Sequence, residues 1–202
     1  FFFSEKIEKN KNLFVTLGGI VVLSSLPLLS EGIGSGHDLG FHLLRMEAIA
    51  DGIHFGEWSI PVRLSNLWIE GYGYPTSVFY GDLLLYIPAF TRLMGFSIIE
   101  AYKIYVLLIN AGTTIISYVC FNKIFRNKNI AVLTSLVYVT ATYRMVCVYV
   151  RAAVGEYSAM MFFPIISLAV FRIYTEVSME WKTYKRNIPL LAIGMSGVIE
   201  TH

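Results

Sequence analysis

Apolar positions along this chain gather in long runs bounded by clusters of basic residues. Leu13 to Leu29 is the first run, and Lys6, Lys9 and Lys11 precede it. Ala101 to Phe121 is interrupted only by Lys103 and Asn110, and Lys123, Arg126 and Lys128 follow it. Ile130 to Val150 and Tyr157 to Tyr174 come next, then Lys182, Lys185 and Arg186, then a last run from Ile188. A helix of about 20 apolar residues spans the hydrocarbon of a bilayer. The pattern therefore predicts an all-α, polytopic chain with spans at 13–29, 100–122, 129–149 and 156–175. A fifth begins at 188–202 and is too short to cross by itself. We read the chain as the N-terminal part of a longer polytopic protein.

Val78 to Met94 is apolar as well, and charge decides its placement. Nine of the sixteen Lys and Arg residues lie in 1–11, 122–129 and 175–187. Segments rich in Lys and Arg face the cytoplasm. With both 1–11 and 122–129 inside, only one further span fits between the first run and residue 122. Val78–Met94, which carries Asp82 and Pro88, is then expected to lie on or dip into the outer face. The result is a long extracytoplasmic loop, 30–99, with interfacial helices at about 38–52 and 76–95. That loop holds Glu31, Asp38, Glu47, Asp51, Glu57, Glu70 and Asp82 against only Arg45, Arg63 and Arg92. A second, short outer turn lies near Arg151 to Glu156.

Composition agrees. Of 202 residues 55% are hydrophobic and 15% charged, against roughly 25% charged in soluble domains. Mean hydropathy is +0.60. The net charge of +2 leaves no footprint for nucleic acid. Cys120 and Cys147 sit in apolar runs without metal-ligand spacing and read as small hydrophobic fillers.

Candidate chemistry concentrates in the outer segments. Gly34-Ser35-Gly36-His37-Asp38 reads as a turn into a helix with Asp38 near its start, where a carboxylate is favoured. Asp38, His42 and Arg45 follow i, i+4, i+7 spacing, so a carboxylate, an imidazole and a guanidinium share a stripe. One reading is a capping aspartate with a surface ion pair. The other is an active-site row, in which Asp38 accepts a proton from an acceptor hydroxyl and Arg45 holds a phosphate. A divalent metal on His37, Asp38 and His42 stays open, although i, i+5 spacing of two histidines suits chelation poorly. Trp58 to Arg63 looks extended. Gly71 to Asp82 forms a structured turn whose Tyr72, Tyr74, Phe79 and Tyr80 either stack on a sugar ring or isoprenoid chain or anchor the interface. Arg151 and Glu156 form an ion pair at the rim or face the cavity of Asp38.

Gly36-His37-Asp38-x-x-Phe41-His42-x-x-Arg45, Gly71-Tyr72-Gly73-Tyr74-Pro75, Phe79-Tyr80-Gly81-Asp82 and Arg151-x-x-x-Gly155-Glu156 together resemble bacterial YfhO-like membrane proteins. Related sequences carry the label "membrane protein, 6-pyruvoyl-tetrahydropterin synthase-related". The layout is also similar to the GT-C glycosyltransferase superfamily. That resemblance implies Asp38 as catalytic carboxylate and Glu156 as second acid. His37, His42, Arg45, Tyr72, Tyr74, Tyr80, Asp82 and Arg151 would then contact substrate. It implies a polyprenyl-phosphate-linked sugar as donor, a cell-envelope acceptor, inversion at the sugar carbon, and a multi-pass protein of the bacterial plasma membrane with a cytoplasmic N-terminus. His37-Asp38 stands where the best-known members have two adjacent acids, so metal dependence stays open. Pterin chemistry is not expected, because His54 and His202 show no partnering that would build a zinc cluster. The competing functions are a transporter or flippase for a lipid-linked substrate, for which Asn110 and Lys103 are the interior polar candidates, and a non-catalytic envelope-synthesis protein.

Overall fold

The computed structural model describes residues 2–30, 36–56, 71–175 and 181–201, and among these no strand occurs. Helix α1 covers Phe2–Ser25 and tightens into a 3-10 turn at Leu26–Leu29; α2 is Leu39–His54, α3 Thr76–Phe79 and α4 Tyr86–Leu93. Then come α5 (Ile98–Phe125), α6 (Lys128–Val139) and α7 (Thr142–Val146), which runs on into a π turn at Cys147–Arg151. Helices α8 (Val154–Ala159), α9 (Phe163–Thr175) and α10 (Trp181–Ile199) complete the order. The extended stretch expected from Trp58 to Arg63 lies outside the described residues.

Two helical stretches, Lys11–Leu29 and Ile98–Phe125, are long and apolar enough to cross a membrane; Lys128–Val139 with Thr142–Arg151, bent by 42°, would make a third. The described residues are thus all-helical, with two or three such helices among them, fewer than the hydropathy runs suggest. The difference lies in backbone breaks inside those runs. The run at 129–149 breaks at Thr140 and Ala141. Thr140 turns its hydroxyl back onto the Leu136 carbonyl, and Arg144 takes the Val139 carbonyl. The run at 156–175 is split at 160–162, where Pro164 has no N–H to offer the Met160 carbonyl and the Tyr138 hydroxyl donates to it instead. The run at 188–202 belongs to a helix that starts earlier, at Trp181, and stops at Ile199. The interfacial helix expected at 76–95 is α3 and α4 with a non-helical stretch at Tyr80–Asp82 between α3 and a 3-10 turn at Leu83–Leu85. The expected helix at 38–52 is α2.

Helix α5 is the axis. Half of its spanning window is buried, against 17% of the window in α1. It packs on α1, α2, α4, α6 and α9. Its start is fixed by a capping box. Ser97 Oγ accepts from the Glu100 N–H, and Glu100 Oε2 accepts from the Ser97 N–H at 2.8 Å. Its end turns over at Arg126 in the left-handed region (φ 54), and Asn127 Oδ1 caps α6 by accepting from the N–H groups of Asn129 and Ile130. At 1.5 Å per residue α5 is roughly 42 Å long, about 12 Å more than a bilayer's hydrocarbon. Around its first turns α2 and α4 wrap a core of Met46, Ile49, Leu85, Ala89, Tyr102 and Tyr105. Arg92 clamps α4 to α2 by donating to both carboxylate oxygens of Glu47, the closest contact being 2.8 Å. The end of α10 folds onto the same region. The Leu83 N–H donates to the Glu200 carbonyl, and a Cβ on Gly81 would lie 2.4 Å from that backbone, so only glycine fits.

Candidate functional site

The polar groups at this end of α5 fall into two clusters, both hung on α2. The first forms around Asp38. The Asp38 N–H donates to the Arg151 carbonyl at 3.0 Å. Gly36 sits so close to Ala152 that an added Cβ would meet the Ala152 Cβ at 2.6 Å. Ala152 itself is in the left-handed region (φ 54), where the π turn ends. That conformation stops the turn and points Arg151 back at Glu156. Arg151 donates twice to Glu156, at 2.9 Å and 2.7 Å. Tyr143 donates its hydroxyl to the same carboxylate at 2.7 Å, and the Cys147 thiol donates to it at 3.4 Å. The Arg151 bonds first, and the Tyr143 bond second, hold the Glu156 pKa down at about 2. Glu156 is therefore an ionised and fully engaged carboxylate. Asp38 differs. Its side chain makes no capping bond to α2 and has no ion-pair partner among the described residues. The expected side-chain cap does not form.

The second cluster is built on Arg45, which is 3% exposed. Its guanidinium donates to the Gly81 carbonyl at 2.8 Å and the Tyr80 carbonyl at 3.5 Å. It lies 5.7 Å from the Phe41 ring centre and 5.3 Å from that of Tyr80. Such a guanidinium, held by carbonyls and two aromatic faces, clamps α2 to the turn after α3. No hydrogen bond or ion pair joins it to Asp38 or Glu156. The stretch left non-helical at Tyr80–Asp82 has its cause here, since Arg45 takes the carbonyls a helix would use. Asp82 is buried nearby with Oδ2 unpartnered, and burial pushes its pKa up.

His42 packs against this clamp. Arg45 Nη1 lies 3.5 Å from His42 Nδ1. Arginine only donates, so Nδ1 is the acceptor and the ring is neutral. Burial first, and the Arg45 charge second, lower its pKa from 6.5 to about 3. An unfolded His42 takes up its proton below pH 6.5, whereas the folded one resists until about 3. This contribution to stability is complete above 6.5 and is lost as pH falls toward 3, on the order of 4–5 kcal/mol in the limit. Thermal unfolding in detergent between pH 7 and pH 4 measures it. The wild type is expected to lose Tm steadily, and His42→Gln to lose clearly less. Equal slopes would remove His42 as the titrating group.

The remaining expected site residues are spread out. His37 is exposed beside Asp38. Tyr72 is 84% exposed, and Tyr74 stacks on Phe79 with centres 6.5 Å apart. Among the described residues no group of three His, Cys, Asp or Glu side chains converges to hold a metal ion, so His37, Asp38 and His42 do not form a ligand set. The carbonyl contact at Arg151 and the Gly36–Ala152 approach have no linear signal. Tyr143 and Cys147 lie four residues apart, on one face of the helix leading to Arg151, a spacing that could have marked them as partners of that turn.

A third polar group lies deeper. Arg144 is 2% exposed. It donates to Asn110 Oδ1 at 2.8 Å, to the Val139 carbonyl at 3.1 Å and to Thr113 Oγ1 at 3.3 Å. Asn110 Nδ2 in turn donates to Ser25 Oγ at 3.0 Å and to the Ser24 carbonyl at 3.3 Å, and lies 3.1 Å from the Tyr149 hydroxyl. A single charge inside an apolar run is the signal that marks such a residue.

No protein-family model, no curated protein and no solved structure matches this chain.

Proposed function

We propose that this protein is a membrane glycosyltransferase that moves a sugar from a polyprenyl-phosphate donor to a cell-envelope acceptor at the outer face. The likeness of its motifs to YfhO-like and GT-C proteins suggests the reaction. The observation that carries it is the junction of Asp38 with Arg151: a half-buried carboxylate with no capping bond or ion-pair partner among the described residues, seated by its own backbone N–H on the Arg151 carbonyl. In this reading the acceptor hydroxyl gives its proton to Asp38 and its oxygen attacks the anomeric carbon. The bond to the lipid phosphate breaks, and the phosphate keeps the electron pair, which inverts the sugar carbon. Glu156, held ionised by Arg151, fixes the second outer turn rather than taking the proton. Arg45 keeps α2 in place. Basic residues at 6–11, 123–128 and 182–186 favour a cytoplasmic N-terminus, with the Asp38 end of α5 outside. A bacterial plasma membrane follows from the likeness alone.

Transport of a lipid-linked substrate is the second reading, and Arg144 is its motive. At 1.5 Å per residue its partner Asn110 lies roughly 18 Å from one end of α5 and 22 Å from the other, a depth where ionisable groups often mark a substrate path. One assay separates the two. Purified protein in lipid with a radiolabelled polyprenyl-phosphate sugar is expected to release polyprenyl phosphate and to label an acceptor fraction. Movement of intact donor across the bilayer, with no cleavage, would reject transfer.

A further inference from the structure

A cavity of about 350 Å³ opens between the turn that follows α3 and the end of α10, and Ser77, Phe79, Tyr80, Asp82, Ile199 and Glu200 line it. Ligand pockets run from about 300 Å³ upward. Backbone fixes the wall, because the Leu83 N–H donates to the Glu200 carbonyl and Gly81 packs against the same peptide. The two ionic residues in that wall carry one sign. Asp82 is 8% exposed, and its Oδ2 has no hydrogen-bond partner. Glu200 is exposed and makes no ion pair among the described residues, and its charge bears on Asp82. The end of α10 at Ile199 adds the negative pole of a helix dipole. Arg45 is the cation that bears on Asp82, but its guanidinium donates to the Tyr80 and Gly81 carbonyls and forms no ion pair with the carboxylate. Burial raises the Asp82 pKa in spite of Ser77 and Arg45, which both lower it. Two carboxylates against one guanidinium leave one negative charge beside an accessible space.

We propose that this cavity binds an organic amine in its ammonium form, with the positive charge between Asp82 and Glu200 and the carbon frame against Phe79 and Tyr80. A single positive charge balances the one that Arg45 leaves over. An ammonium also brings hydrogens for both carboxylates, and a charge-assisted bond to a buried oxygen is among the stronger ones. A divalent metal fits less well. Among the described residues no third acid, His or Cys joins these two to complete a ligand set, and Arg45 stands close by. A neutral ligand would leave the charge uncompensated. The rings decide between a hydrated inorganic ion and an organic one. Phe79 is 67% exposed and Tyr80 43%, so aromatic surface borders the acids, and such surface suits carbon and attracts a weakly hydrated cation. The site rests on this geometry and not on sugar transfer, and the amine it takes is either a small free one or the amino group of a sugar.

The test is saturation-transfer NMR of glucosamine on the full chain in neutral detergent at pH 7, with N-acetylglucosamine as the uncharged control. Glucosamine is expected to give a saturable signal and N-acetylglucosamine none. Asp82→Asn is expected to weaken binding about tenfold, the scale of one charge-assisted hydrogen bond. Glu200→Gln and Phe79→Ala are expected to weaken it about threefold each, as exposed charges and rings do. Both change exposed side chains, so they read the site even where Asp82→Asn fails to fold. Asp51→Asn, an acid of α2 outside the cavity wall, is expected to leave binding unchanged. Ethanolamine sorts the source. Displacement at the same concentration as glucosamine assigns the site to small free amines, and weaker displacement assigns it to amino sugars. Equal signals from N-acetylglucosamine, indifference to both Asp82→Asn and Glu200→Gln, or displacement by an equal concentration of magnesium would each overturn the proposal. The readout involves no turnover. A protein that binds glucosamine but transfers no sugar keeps this site and loses the transferase.

Discussion

Asp38→Asn is expected to abolish sugar transfer while leaving a folded, inserted protein. Proton abstraction by a positioned side chain contributes about 10²–10⁴-fold, and the amide cannot accept the proton. The structure separates this loss from unfolding. The Asp38 side chain makes no capping bond, and what seats the residue is its backbone N–H on the Arg151 carbonyl, which asparagine retains. Stability should therefore change by no more than about 0.5 kcal/mol, the range of a substitution that breaks no buried contact. Glu156→Gln is the contrasting variant. It breaks a doubly bonded pair with Arg151 and the bond from Tyr143, so it should cost stability and activity together. A carboxylate whose pKa is held at about 2 is also a weak base near neutral pH. Transfer by Asp38→Asn at the wild-type rate would remove the carboxylate from the chemistry, whatever Glu156→Gln does.

Mean apolarity over about 20 residues locates helices well, and α1, α5 and α2 cover the stretches the pattern marked, α1 starting earlier at Phe2. It is blind to competition for carbonyls. Arg45 and Arg144 each take backbone acceptors from an apolar segment, and each stands at a break the hydropathy runs conceal. Pro164 is the exception, because the N–H it lacks is readable from the sequence alone. The site divides in the same way. An ion pair between Arg151 and Glu156 follows from two opposite charges in one short turn, and the reach of Lys103 to the Ser30 carbonyl follows from its long stem. The i, i+4, i+7 row on α2 is real as a stripe. Yet Asp38 at its start meets Arg151, whereas His42 and Arg45 meet the Tyr80–Asp82 turn. Helical spacing tells which side chains face one way. It does not tell which distant segments come to meet them, and the Gly36–Ala152 approach that decides this depends on a missing side chain.

Arg144→Ala should be the most damaging substitution outside the Asp38 and Arg45 clusters. The guanidinium sits at the open end of α6, where Val139 offers its carbonyl and the helix's partial negative charge stands in for a counter-ion. Asn110 and Thr113 supply the other acceptors. Alanine leaves Asn110 Oδ1 and the Val139 carbonyl without this donor in a water-poor interior, at about 1–3 kcal/mol each. Relief of the buried charge works the other way. The lost bonds win here because three oxygens and a helix end receive the guanidinium, although its Nε has no partner and alanine recovers that part of the desolvation cost. A net loss of about 2–5 kcal/mol is expected, measured as reduced resistance to denaturant in detergent. Arg144→Met separates the effects, since it keeps volume and loses donors, and it should recover only the packing part. Because Asn110 also ties α5 to Ser24 and Ser25 of α1, Arg144→Ala and Asn110→Ala should be non-additive by more than about 0.5 kcal/mol. Additive losses, or an Arg144→Ala protein as stable as the wild type, would mean that the bend between α6 and α7 is held by something other than this network. The π turn that aims Arg151 would then owe nothing to it.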